Sequence, residues 1–162
     1  MDEVGFTEWA AGHERQLLRS AYLVTGDLHR AQDLVQEALV KVALRWPRLR
    51  DGNPTAYART IVVRDNISWW RRRRETPAGL PVDLSHVSSD PTTALVVQRS
   101  LARLTPRQRA VLVLRHFDDL TERETAEVLG VSVGTIKSTN AAALARLREG
   151  APELLDLIGD NR

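Results

Sequence analysis

The chain is predicted to be all-α, with two small helical domains joined by a flexible linker and a helix-turn-helix ending the second. Three observations carry that expectation. Apolar residues recur at helical spacing in both halves, and no stretch alternates as a strand would. Residues 75–91, ETPAGLPVDLSHVSSDP, hold three prolines and little periodicity, the composition of an extended connection. Residues Thr121 to Arg148 then read as two helices around a tight turn. The expected boundaries are 1–75 for the first domain, 76–93 for the linker, 94–150 for the second domain and 151–162 for a tail.

Each helix has its own local cause. Phe6, Trp9, Leu17, Ala21 and Val24 form an apolar face that Gly26 interrupts. Asp27 is placed to cap a second, strongly amphipathic helix bearing Ala31, Leu34, Val35, Ala38, Leu39, Val42 and Trp46. Pro47 is expected to end it. Asn53-Pro54 combines a side-chain cap with proline at the first helical position, opening a third helix through Tyr57, Ile61 and Ile67 to Trp69-Trp70 and Arg71–Arg74. Helices resume near Thr92 or Thr93, covering Ala94–Leu104, and Thr105-Pro106 opens another over Arg107–Phe117.

The unit TERETAEVLGVSVGTIKSTNAAALARLR, Thr121–Arg148, has the steric pattern of a DNA-reading hairpin. Thr121 and Glu124 fit a capping box. Ala126 is small enough to let two helices approach, and Gly130 supplies the left-handed turn. Ser132 is placed to cap the second helix, with Val131, Val133 and Ile136 packing it onto the first. Thr135, Lys137, Ser138, Thr139 and Asn140 form a short polar recognition face, which a generic helical hairpin does not explain.

Composition narrows the function classes. The 162 residues include no cysteine, so disulfides and thiolate metal sites are excluded and a reducing cytoplasm is the expected location. No apolar run approaches the roughly twenty residues that cross a bilayer, and the acidic start MDEVGFTEWAAGHERQ does not resemble a signal peptide. There is no glycine-rich phosphate loop and no His-x3-His pair; His13, His29, His86 and His116 are scattered. The expectation is a non-enzyme with no cofactor and no metal. Net charge is +2, unevenly spread: residues 76–94 carry Asp83 and Asp90 but no Lys or Arg, between two basic blocks. That distribution suits a polyanion held at two places.

Two features stay open on residues alone. In Trp69-Trp70-Arg71-Arg72-Arg73-Arg74, adjacent side chains diverge by about 100° on a helix, so one Trp can enter the core while the other offers a stacking surface among phosphate-gripping arginines. Alternatively both tryptophans are core and the arginines solvate a helix end. The second helix is also too broadly apolar for a surface helix, which implies either a generous core or a partner surface.

With these segments in place, the chain resembles an extracytoplasmic-function sigma factor of bacterial RNA polymerase, the smallest sigma-70 type. The resemblance runs from about Phe6 to Glu149. It rests on AQDLVQEALVKV at 31–42, NPTAYARTIVVRDNISWWRRRRE at 53–75, LTPRQRAVLVLRHFDDLTERETAEVLGVSVGTIKS at 104–138 and LARLRE at 144–149. The paired Trp before an Arg run is similar to an actinobacterial SigE-like subfamily.

The resemblance implies partners and sites. Asp33, Leu34, Val35, Gln36, Glu37 and Lys41 match the segment that docks on the β′ clamp helices of core RNA polymerase; a β flap contact is implied for the second domain. The loop Pro47–Ala56 matches the one that captures a flipped base. The third helix matches the reader of the −10 promoter element, giving Asn53, Tyr57, Arg64, Asn66, Trp70, Arg71, Arg72, Arg73 and Arg74 as DNA-binding candidates. Linker 75–93 matches an acidic segment threading towards the RNA exit path. The helix-turn-helix matches the −35 reader, with Arg123, Ser132, Val133, Thr135, Lys137, Ser138, Thr139 and Ala142 as candidates. An anti-sigma partner is implied as well, without membrane insertion.

The chain departs from the family pattern at several places. Relatives usually carry Arg or Gln at the position of Thr139, a basic residue at that of Ala142, often a histidine or aromatic at that of Ala141, and many have Asn at that of Arg64. Thr139–Ala143 is therefore a nearly neutral face, and each missing phosphate contact lowers the salt slope by about 0.9. A stand-alone helix-turn-helix regulator, and an interaction module whose DNA surface has decayed, are the competing readings.

Overall fold

The computed structural model describes residues 2–73 and 91–159, and within them every regular element is helical. The first half holds α1 (Glu3–Thr25), α2 (Leu28–Leu49) and α3 (Pro54–Arg73). The second holds α4 (Pro91–Leu101), α5 (Pro106–Leu112) with a π-helical continuation over Val113–Phe117, α6 (Glu122–Leu129), α7 (Val133–Gly150) and α8 (Pro152–Ile158). Linker residues 75–90, Arg74 and the end of the tail lie outside the described residues.

The helix boundaries are set by short-range hydrogen bonds. Gly26 takes φ 72° and donates to the Tyr22 carbonyl, ending α1. The Asp27 carboxylate then accepts from Arg30 N–H to start α2. Thr105 and Gln108 form a reciprocal capping box at α5, as Thr121 and Glu124 do at α6. Gly130 takes φ 66°, and Ser132 accepts from Thr135 N–H to start α7.

The structure corrects four boundaries. Pro47 does not end α2, which continues to Leu49. Proline there removes one hydrogen bond in the final turn, and buried Trp46 keeps that turn in place. The Trp46 ring packs against Phe6 and Trp9 at centroid separations of 5.7 Å each. Helix α4 ends at Leu101 rather than Leu104, and begins at Pro91, so residues 91–93 are helical rather than linker. The stretch Val113–Phe117 widens to π geometry, with Asp118 N–H donating to the Val113 carbonyl. Finally, part of the expected tail is α8, whose Leu154 is wholly buried; Pro152 at the first turn and Leu154, Leu155 and Ile158 at helical spacing were its signals.

Helices α1, α2 and α3 pack as a bundle around Leu17, Ala21, Val24, Ala31, Leu34, Val35, Ala38, Val42, Ala58 and Val62. In the second half α7 is central, packing on α5, α6 and α8. Ile136, Ala126 and Val111 form the buried heart of the helix-turn-helix. Val133, expected to help pack α7 onto α6, is instead exposed, because it sits at the first helical position, ahead of the contact.

The two helical blocks also pack on each other. Val63 of α3 is enclosed by Ala110, Leu114 and Val128 of the second block, with Ile67, Leu120 and Leu129 alongside. Burying each large aliphatic there contributes about 1.5–3 kcal/mol. The apolar patterning of each helix was readable beforehand, but this mutual face was not.

Candidate nucleic-acid interface

Helix α2 sorts its residues by face. Leu34 and Val35, candidates for the partner surface, are buried in the bundle, which is a correction. Their neighbours Asp33, Gln36, Glu37 and Lys41 are exposed. Two residues that sequence reasoning missed complete the outer stripe: Val40 is 57% exposed and Leu44 78%. Positions 33, 36, 37, 40, 41 and 44 follow helical spacing along one side. The breadth of apolarity in α2 therefore has both causes at once, a core face and an open face. Lys41 pairs with Asp65 of α3 at 3.0 Å.

Along α3, the Asn53 side chain accepts from Ala56 N–H at 2.9 Å, so it caps the helix at the exposed end of the connecting loop. Tyr57 lies one turn on, with the Arg45 guanidinium 5.5 Å from its ring. Asn66 does not face outward: only 1% is exposed. It accepts from Arg30 Nε at 3.2 Å and donates to the Val24 carbonyl at 3.2 Å. Its expected DNA role is thus corrected to a positioning one, tying α3 to the C-terminal end of α1.

The Trp pair divides in an unforeseen way. Two guanidiniums lie over the Trp69 ring, Arg30 at 3.7 Å and Arg73 at 4.6 Å from its centroid. Trp70 meets it edge-on at 5.0 Å and remains 38% exposed. Cation–π contacts of this kind contribute roughly 0.5–2 kcal/mol, and they hold the aromatic face out of the apolar core. Burial lowers the Arg30 guanidinium to about 10, which leaves it cationic at neutral pH. Arg71 and Arg72 extend into solvent. The result is a cationic, aromatic end to α3, suited to phosphates and an unstacked base.

Arg64 is engaged elsewhere. Its Nε donates to the Val128 carbonyl at 2.7 Å and its Nη2 to the Glu127 carbonyl at 3.0 Å, both at the end of α6. Between α3 and α6 runs a cleft lined by Asn53, Tyr57, Arg59 and Thr60 on one side and Leu120, Glu124, Glu127 and Val128 on the other.

The helix-turn-helix presents less than the full predicted face. Lys137 and Ser138 are exposed on α7, with the ammonium 3.9 Å from Glu122. Arg123 is exposed on α6 and pairs with Glu127 at 3.8 Å. Ser132 is occupied as the cap, Thr135 and Thr139 are half-buried, and the Asn140 amide is held by His116 at 3.2 Å. Ala141 and Ala142 are open, whereas Ala143 is wholly buried and belongs to the core rather than to the neutral face. Burial lowers the His116 pKa, so the imidazole is neutral at pH 7.

The Asp118 side chain is buried between the two blocks. Ser20 donates to its Oδ1 at 2.7 Å, and Arg59 lies 3.5 Å from its Oδ2. The next residue, Asp119, turns the chain with φ 54°. Among the described residues no cluster of three His, Asp or Glu side chains could share a metal ion. None of their helices is long and apolar enough to cross a membrane.

Residues 10–76 match the family model for Sigma-70 region 2, and residues 94–147 that for Sigma-70, region 4. The RNA polymerase sigma-E factor of Streptomyces avermitilis is 40% identical over 152 residues, covering 89% of this chain and 83% of that protein. The ECF RNA polymerase sigma factor SigM of Mycobacterium tuberculosis is 33% identical, covering 90% and 76%. Among solved structures, the sigma factor RpoE of Bartonella quintana, crystallised with the anti-sigma factor NepR, superposes with a TM-score of 0.75 at 22% identity, covering 89% of this chain and 94% of that one. Sigma factor SigJ of Mycobacterium tuberculosis superposes with a TM-score of 0.65 at 29% identity, covering 90% and 53%.

Proposed function

Because the chain belongs to the sigma-70 family of RNA polymerase sigma factors, with that family's regions 2 and 4, we propose that it directs core RNA polymerase to promoters through three separate faces. The outer stripe of α2 docks on the β′ clamp helices of the polymerase. The Asn53–Tyr57 end and the Trp70–Arg73 end of α3 read and open the −10 element. Helix α7 enters the −35 major groove through Lys137 and Ser138, with region 4 as a whole resting on the β flap. The protein acts in the cytoplasm, where its polymerase and DNA are.

The exposed pair Val40 and Leu44 is the observation that carries this reading. Neither DNA-facing element uses it, and a regulator acting alone has no need to keep two large aliphatic side chains in water beside Asp33, Glu37 and Lys41. The weak neutral face of α7 fits the same division of labour. Two modest DNA grips become effective once a partner fixes their spacing, because the second contact is then intramolecular. The sigma factor RpoE solved with the anti-sigma factor NepR supports a protein inhibitor for this chain too.

Run-off transcription with core enzyme and genomic promoter fragments tests the proposal. The expected result is a product that depends on this protein. Tight, polymerase-independent gel shifts of a palindromic site, with no run-off product, would instead support a stand-alone regulator.

A further inference from the structure

A cavity of about 330 Å³ opens beside α1 and α4. That volume falls within the roughly 300–1,000 Å³ usual for small-molecule sites. Leu18, Leu23, Leu28, Val97 and Phe117 give it apolar walls. Arg15 and Arg19, both exposed, mark its mouth, and neither is salt-bridged to a described residue. One helical turn separates them, so both guanidiniums can reach the same carboxylate.

Gln98 of α4 closes the inner end and is only 2% exposed. Its Oε1 accepts from Arg109 Nη2 at 2.7 Å, while Arg109 Nε donates to the Leu23 carbonyl at 2.7 Å. Gln98 therefore sits at the Leu23 end of the cavity, about 12 Å along α1 from Arg15 on the helical rise. Burial lowers the Arg109 guanidinium to about 10, which leaves it cationic at neutral pH, and no carboxylate among the described residues pairs with it. A cation on the amide oxygen polarises the amide and strengthens its N–H groups as donors. Yet Gln98 Nε2 is buried with no hydrogen-bond partner. A buried donor left unpaired is costly, and an acceptor brought to it recovers that loss.

We propose that this cavity binds an aromatic monocarboxylate carrying an acceptor oxygen at the end opposite its carboxylate, as a hydroxycinnamate does. The carboxylate pairs with Arg15 and Arg19, the ring lies among the aliphatic walls against Phe117, and the far oxygen accepts from Gln98 Nε2. A rigid aromatic body spans the two ends with little conformational entropy to lose. A plain fatty acid would leave Gln98 unpaired. The lining includes no residue of the outer stripe of α2, of the two ends of α3 or of the exposed face of α7, so the site is separate from the three faces assigned above. It does not rest on the sigma-factor reading.

Correlation spectra of the ¹⁵N-labelled full chain, titrated with 4-hydroxycinnamate, test the proposal. The Gln98 side-chain amide signals should move saturably, at one ligand per chain. Cinnamate lacks the far oxygen and 4-ethylphenol lacks the carboxylate; each should bind about tenfold more weakly, the scale of one charged or buried hydrogen bond. Arg15→Ala with Arg19→Ala, at exposed positions, should remove the preference for 4-hydroxycinnamate over 4-ethylphenol. Gln98→Glu keeps an acceptor for Arg109 but puts a carboxylate oxygen where the donor stood, and should weaken binding by about tenfold or more. Ala94→Phe fills the cavity from α4 and should abolish binding in a folded chain. If Gln98→Glu does not fold, the two analogues on the native chain still decide the matter. Absence of saturable shifts, equal affinity for all three compounds, or undiminished binding to folded Ala94→Phe would overturn the site.

Discussion

Ser20 of α1 donates its hydroxyl proton to Asp118 Oδ1 at 2.7 Å, joining residues 98 positions apart at the seam between the two helical blocks. Burial raises the Asp118 carboxyl above its ordinary value of 3.8, outweighing the opposing effects of the Ser20 hydrogen bond and the Arg59 and Arg19 charges. A carboxyl whose pKa is higher when folded binds its proton more tightly in the folded state, so this site is more favourable in acid. Its contribution is fully present below 3.8 and is lost as pH rises through the higher folded value. The stability of the wild type relative to Asp118→Asn should therefore increase as pH falls from 7 toward 4. Denaturant midpoints of both proteins across that range measure it, and a difference that shrinks in acid contradicts the assignment.

Leu44 is 78% exposed on the outer side of α2. Leu44→Glu should leave the thermal midpoint unchanged to within the effect of about 0.5 kcal/mol usual for surface substitutions. It should weaken association with core polymerase by about tenfold or more, given the roughly 1.5–3 kcal/mol that burying a leucine contributes. Equilibrium binding of labelled protein to core enzyme checks this, with Glu3→Gln on an unrelated surface as the control.

Asn66 links Arg30 to the last turn of α1 and is shielded from solvent. Asn66→Ala strands the Val24 carbonyl and the Arg30 Nε–H, which costs about 1–3 kcal/mol for each buried group left unpaired. Urea unfolding should register that loss. Base-specific protection of the −10 strand by the folded fraction should remain, since the side chain does not reach DNA.

Ala142 sits open on α7 in a stretch without charge. Ala142→Arg should add one phosphate contact and steepen the dependence of log K on log salt by about 0.9 for duplex −35 DNA. Lys137→Ala should flatten it by a similar amount, about 1 unit. Titrations at several salt concentrations give both slopes. If neither slope moves, α7 does not lie against the backbone at these positions.

Pro47 reads as a stop because proline cannot donate within a helix, yet Trp46, locked between Phe6 and Trp9, holds the last turn in place. Leu34 and Val35 belong to the α2 motif that the resemblance singles out, and Val40 and Leu44 lie outside the candidates drawn from it. Only the position of the bundle around α2 separates the inward pair from the outward one.

What the amino-acid sequence determined alone is the chemistry that acts within about four residues. The caps at Asp27, Thr105, Thr121 and Ser132, the turns at Gly26 and Gly130, and the helical spacing of the core residues are all of this kind. The all-α class and the helix-turn-helix follow from them. The tertiary structure decided the distant partners of Arg64, Arg109, Asn66 and Asp118, 36 to 98 positions away. A buried arginine and a surface arginine have the same one-letter code and the same helix propensity. What separates them is whether a second helix end, with its unpaired carbonyls, arrives within hydrogen-bonding distance, and no local pattern records that.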